Sequence, residues 1–304
     1  MKATTASQEP SITDTSTGIT PSLSVINMPS SAADTTHAIG LTGVSNARDI
    51  GGYKTIDGKT VKAGMLLRTA ALAGANDADK KILTEIYNVK IIVDLRYDSE
   101  IAQSPELTLP GVTNIHAPIL KDISASSSTT STASSSAKSD KMDTLIGYVK
   151  RIGDVDGMIN NEYSAMVTDK YSINGYKQFF ETILSEHDGA ILYHCSGGKD
   201  RTGIASMLLL SALGVDRQTA EADYMLTKDF IKGSIDTTTA SAAAKGADQP
   251  TQDGIELLMS VDQKWADTVF DTINTKYGSM DNFLQEELGL TPDKIDQLKG
   301  MYLQ

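Results

Sequence analysis

Three features of the sequence predict an α/β fold, with a central, mainly parallel sheet flanked by helices and a helical C-terminal third. The runs Ile91-Ile92-Val93-Asp94-Leu95 and Ala190-Ile191-Leu192-Tyr193 are short and apolar, in the manner of strands covered on both faces. The second run feeds a glycine-containing turn from His194 to Gly203, then an apolar stretch over 204–213 that reads as a helix. Beyond residue 255, apolar residues recur at helical spacing almost to the last residue.

Taken in order, residues 1–36 are rich in Ser, Thr, Ala and Pro without periodicity and read as a disordered leader. A single domain is expected over 37–304, beginning near His37 to Leu41. Asn46 to Tyr53 is a loop with a Gly pair, and Asp57-Gly58 supplies a hairpin turn. Met65 to Arg68 reads as a strand, and Asn76 or Asp77 caps a helix reaching Tyr87. The apolar strand at 91–95 follows, then another over 112–119. Two stretches, near 121–141 and 233–250, are low in complexity and read as mobile surface inserts. Helices are expected over 155–167 and 173–184, the latter ended by His187-Asp188-Gly189. Asp216 caps a helix over 217–231, and one long helix runs over 255–277 until Gly278. Two short helices complete the chain, one over 280–288 and one opened by Thr291-Pro292.

The charge balance narrows the function classes. With 27 Lys+Arg against 39 Asp+Glu, the net charge is -12, which argues against nucleic acid or an anionic membrane as partner. No apolar run approaches the roughly 18–20 residues of a membrane span, so no stable insertion is expected. A single cysteine precludes an intramolecular disulfide. The first residues lack a basic then apolar signal, although a processed exported chain would look the same. The polar leader favours a secreted or cell-surface location over the cytoplasm.

That one cysteine, Cys195, lies in the turn after the second strand. A strand, a glycine turn and a helix start aim backbone N–H groups into the turn. Ser196, Gly197, Gly198 and Lys199 would offer such donors, and Arg201 a planar fork for two oxygens of one anion. The same field favours a thiolate at Cys195, and the Thr202 hydroxyl is placed to donate to its sulfur. A nucleotide-binding glycine loop does not fit. Tyr193 stands where its first Gly belongs, and Asp200 where Ser or Thr must follow Lys. A buried cysteine is ordinarily inert packing, but this one is followed by Gly-Lys-Asp-Arg rather than apolar residues. A thiolate beside a cradled oxyanion suits phosphoryl transfer.

The ten residues His194-Cys195-Ser196-Gly197-Gly198-Lys199-Asp200-Arg201-Thr202-Gly203 resemble the signature loop of a bacterial branch of the cysteine-dependent tyrosine phosphatases. Asn46 to Tyr53, Leu67-Arg68-Thr69-Ala70, Val93-Asp94-Leu95-Arg96 with Glu100, and Asp223 to Thr227 resemble its other landmarks, in order. The resemblance implies a metal-independent, cofactor-free hydrolase of phosphomonoesters. Its partner would be a phosphotyrosine protein or a phosphoinositide, with phosphoserine and phosphothreonine as further substrates. Oligomeric state is left open.

It further implies that Cys195 attacks phosphorus, that Arg201 and the loop amides hold the oxygens, and that Asp200 protonates the leaving group. Orienting Arg201 is the other role open to Asp200. Asp122, Asp140, Asp143, Asp154 and Asp156 are upstream acids outside any motif. Lys199 either meets an extra phosphate or pairs with a carboxylate. Arg48, Asp49 and Arg96 either border the pocket or form structural ion pairs, Arg96 with the Arg48 loop or Glu100. His194 shapes the loop. His37, His116 and His187 are scattered and form no ligand set, so no metal is expected. The rival readings are a non-catalytic phosphate-binding module, which would need no nucleophile, and a sulfurtransferase, which would need no Arg-Thr pair.

Overall fold

The computed structural model describes residues 37–122, 140–185 and 188–304. The expected leader, the 123–139 part of the first insert and His187 lie outside the described residues. Five strands form one sheet: β1 (Arg48–Asp49), β2 (Leu66–Thr69), β3 (Val89–Asp94), β4 (Thr113–His116) and β5 (Ala190–His194). Their order is β1-β2-β5-β3-β4, with only β1 antiparallel to its neighbour. β5 is therefore the middle strand, paired with β2 through Ile191↔Leu66 and with β3 through Leu192↔Ile92.

Every residue of β5 is buried, as a continuous apolar run requires. Ile191 and Tyr193 point into the larger core, with Leu66 and Val93 of the neighbouring strands. Ala190 and Leu192 point into the smaller one, with Leu67, Ile92 and Leu83. The two-residue period of the strand thus supplies both layers at once.

The larger core is built by α4 (Val155–Met166), α5 (Lys170–Ile183), α6 (Asp200–Leu213), α7 (Arg217–Met225) and α10 (Gln263–Tyr277). α6 is buried on nearly every side, which matches the predominantly apolar sequence from Ile204 to Leu213. On the other face lies α1 (Asp77–Lys81), capped by Asn76, whose side chain accepts from the amides of Ala78 and Asp79. The chain continues as a wider π-helical turn over Ile82–Ile86. A short helix, α2 (Asp98–Gln103), follows β3.

Four expectations need correction. The stretch 233–250 is helical, not a loop: α8 (Thr227–Ala244) runs through it and α9 (Gln249–Met259) begins in it. Its Ala content favours helix, and Ile231, Ile235 and Ala242 find a buried face. The first insert ends one residue early, because Asp140 caps α3 (Lys141–Ile152) through the Met142 amide. The expected long helix over 255–277 is broken after Met259, where Asp262 caps α10 by accepting from the Lys264 amide. The helix expected over 217–231 is divided at Leu226 into α7 and α8. α11 (Met280–Asn282) and α12 (Pro292–Tyr302) close the chain, and α12 has Pro at its first position as expected. Among the described residues, no helix is long and apolar enough to cross a membrane.

Candidate active site

Cys195 leaves the end of β5 and is 1% exposed, at the floor of the turn that leads into α6. Gly198 makes that turn possible. Its φ is +63°, and a Cβ there would lie 2.3 Å from the Thr69 carbonyl oxygen. The Gly198 carbonyl is clamped in turn, accepting from Asn46 Nδ2 at 2.8 Å and from Arg68 Nη2 at 2.8 Å. The loop is thus shaped by side chains from the β1 region and from β2.

Arg201 lies in the first turn of α6, with its side chain almost buried. Its guanidinium donates to both oxygens of Glu100 on α2, at 2.5 and 2.8 Å, and lies 5.6 Å from the Tyr97 ring centre. The Ser196 hydroxyl donates to the same carboxylate. Burial opposes the Arg201 charge, but the Cys195 sulfur and the Glu100 carboxylate outweigh it and hold its pKa above the ordinary arginine value. Burial likewise opposes ionisation of Glu100, and the Arg201 pair overcomes it, so its pKa is lowered.

Asp200 Oδ1 accepts from the Tyr163 hydroxyl at 2.6 Å and from Lys199 Nζ at 3.0 Å. Tyr163, on α4, also shares a hydrogen bond of 2.9 Å with the Tyr224 hydroxyl on α7. Burial, then the nearby Asp200 charge, raises the pKa of both phenols and keeps them as hydroxyls. Lys199 is therefore a lysine paired with a carboxylate in this state.

His194 shapes the loop, with Nδ1 3.1 Å from the Cys195 carbonyl oxygen. Its Nε2 lies 2.7 Å from a Glu106 oxygen, outside hydrogen-bond alignment, so the contact is one of proximity. Asp94, Glu106 and His194 bring potential ligand atoms within 4.8 Å of one another, but Arg96 already pairs with both carboxylates.

The remaining expected residues divide clearly. Arg48 does not border the pocket; it is fully buried and pairs with Asp223 at 3.0 Å, beside Arg68 at 2.6 Å from the same carboxylate. Asp49 accepts from the amides of Gly51 and Gly64, a turn-holding role. Arg96 pins neither the Arg48 loop nor Glu100, but Asp94, Glu106 and the Ser104 carbonyl. Among the described residues the buried Thr202 hydroxyl has no hydrogen-bond partner, so its expected bond to the Cys195 sulfur is not formed. The upstream acids are occupied elsewhere. Asp122 accepts from the Ser99 amide, Asp140 and Asp143 pair with Lys245, Asp154 caps α4, and Asp156 meets Lys264 and Trp265.

Sequence reasoning gave no role to Tyr163 or Glu106, placed Asn46, Arg68 and Asp223 only within landmarks, and offered Glu100 as a partner of Arg96 rather than of Arg201. Their partners lie far away in sequence: Glu100 is 101 residues from Arg201, and Asp223 is 175 from Arg48. Local spacing carries no trace of such pairs.

A cysteine at the end of a central parallel strand, a glycine turn and an arginine in the helix start together define an α/β protein of the cysteine-phosphatase class. Residues 39–304 match the model of the tyrosine phosphatase family, and the chain belongs to that family. It is 28% identical over 244 residues to the tyrosine-protein phosphatase of Nostoc commune, spanning 79% of this chain and 74% of that one. It is 25% identical over 283 residues to the triple specificity protein phosphatase PtpB of Mycobacterium tuberculosis, spanning 86% of this chain and 98% of that one. By family, the protein is a phosphoric monoester hydrolase.

Proposed function

We propose that the protein hydrolyses phosphotyrosine through a phosphocysteine on Cys195, and that its range extends to phosphoserine, phosphothreonine and phosphoinositides. The observation that carries this is the pairing of Cys195 at the mouth of β5 with Arg201 across a turn held open by Gly198. Cys195 attacks phosphorus, and Arg201 with the amides of Ser196, Gly197, Gly198 and Lys199 holds the equatorial oxygens. Asp200, one residue before the arginine, handles protons at the loop. Its partner Lys199 can turn to a second phosphate, which is the basis for including phosphoinositides. The wider range also draws on similarity to a triple specificity enzyme.

The test is turnover of an aryl phosphate, a phosphotyrosine peptide, a phosphoserine peptide and a phosphoinositide, without added metal. Wild type turns over. Cys195→Ser loses turnover while still binding vanadate. A Cys195→Ser protein that retains turnover overturns the reading.

A further inference from the structure

Two carboxyl groups border the phosphate loop in opposite circumstances. Asp200 accepts from a hydroxyl and an ammonium, which are the partners of a carboxylate. Glu162, the residue before Tyr163 on α4, takes part in no hydrogen bond or ion pair among the described residues. Its side chain lines a cavity of about 460 Å³ together with Tyr97, Leu120 and Met158. Tyr97, which shares this cavity wall with Glu162, has its ring centre 5.6 Å from the Arg201 guanidinium, so one side chain joins the cavity to the loop's arginine. The charged groups facing Glu162 are Asp200, Arg201 and Lys199 from the loop and Glu100 from α2. Lys121 and Asp169, which also line the cavity, pair with each other at 3.2 Å.

We propose that proton handling is split between these two acids. Glu162 gives the proton to the leaving-group oxygen, and Asp200 takes one from the water that hydrolyses the phosphocysteine. This rests on the phosphocysteine reading above, and it reassigns the first proton from Asp200, where its place before Arg201 had put it. The surroundings support the split. Burial, then the negative charge of Asp200, raises the Glu162 pKa above the ordinary glutamate value, with Arg201 and Lys199 offsetting it only in part.

In the first step the Cys195 sulfur forms a bond to phosphorus, the bond from phosphorus to the leaving oxygen breaks, and that oxygen takes the Glu162 proton. In the second, water oxygen bonds to phosphorus, the P–S bond breaks with its electron pair returning to sulfur, and Asp200 receives the water proton. Exchange with solvent then reprotonates Glu162 and deprotonates Asp200.

The test compares Glu162→Gln and Asp200→Asn on phenyl phosphate, a poor leaving group, and on an activated nitrophenyl phosphate. Glu162→Gln is expected to lose about 10²–10⁴-fold in kcat/KM on phenyl phosphate, with little change on the activated ester, and to lose the basic limb of the pH profile. Asp200→Asn is expected to keep the wild-type leaving-group dependence and to show a burst of phenol release, because phosphocysteine accumulates. Equal losses of Glu162→Gln on both esters, no loss on either, or leaving-group sensitivity appearing in Asp200→Asn instead, overturn the proposal. Vanadate binding checks the fold of each variant. If Glu162→Gln does not fold, Glu162→Asp carries the test, with the basic limb retained and a partial loss confined to phenyl phosphate. A wild type inert toward every aryl phosphate overturns the phosphatase reading itself; an active wild type matched by Glu162→Gln overturns only this inference.

Discussion

The Glu100 carboxylate fills both terminal nitrogens of the Arg201 guanidinium, at 2.5 and 2.8 Å. This is the bidentate geometry a phosphoryl group would use. Glu100 therefore acts in two opposed ways: it holds the arginine over Cys195, and it competes with the anion that must bind there.

The two effects separate by substitution. Glu100→Gln keeps the shape and removes the charge, so inhibition by vanadate and inorganic phosphate is expected to strengthen severalfold. Glu100→Ala frees Arg201 to swing, and kcat/KM is expected to fall by about 10²-fold, the scale of a small misplacement of a positioning group. Weaker vanadate binding in Glu100→Gln would show that Glu100 only positions.

Acid stability should turn on Asp223. Burial alone would raise its pKa, but Arg48 and then Arg68 overcome this and hold it at about 2. A carboxyl depressed in the folded state contributes its full stability above the unfolded value of about 3.9, and loses it as pH falls toward about 2. Unfolding by urea is therefore expected to become sharply easier across that window. At neutral pH, Asp223→Asn leaves two buried guanidinium groups facing an amide and should cost about 3–5 kcal/mol. A wild-type stability that is flat across the window would refute this account of the pair.

The signature loop depends on one backbone conformation. Gly198→Ala must place a methyl 2.3 Å from the Thr69 carbonyl oxygen at a φ of +63°. The left-handed conformation adds about 1–2 kcal/mol, and the clash with backbone forces the loop away from its Asn46 and Arg68 clamps. Activity is expected to drop by about 10²-fold or more, with vanadate affinity falling in parallel. Unchanged kinetics would mean that the loop adapts at no cost.

What could be read from the sequence was local. β3 and β5 declared themselves by apolar runs, and Cys195 and Arg201 by their spacing around two glycines. α8 did not, because a Ser, Thr and Ala stretch is loop or helix according to whether a packing face exists. Here Ile231, Ile235 and Ala242 provide one. The break before α10 was hidden because apolar residues keep helical spacing on both sides of Asp262, the residue that caps the second helix. The partners of the site residues were least legible of all. Glu100 on Arg201, Tyr163 on Asp200 and Asp223 between two arginines are products of tertiary folding.

The Tyr224–Tyr163–Asp200 chain offers a last check on the site. Tyr163 is buried, and its hydroxyl joins the Asp200 carboxylate at 2.6 Å to the Tyr224 hydroxyl at 2.9 Å. Tyr163→Phe removes a hydrogen bond to a charged group, worth about 1.5–3 kcal/mol, and leaves Lys199 as the remaining side-chain partner of Asp200 among the described residues. Both stability and turnover should fall. Tyr224→Phe does not touch Asp200, so it should lower stability with a much smaller loss of turnover. If Tyr163 acts through Asp200, the double variant Tyr163→Phe, Asp200→Asn should be no slower than Asp200→Asn alone. Additive losses in turnover would instead mean that the Tyr163 hydroxyl acts on the reaction independently of Asp200.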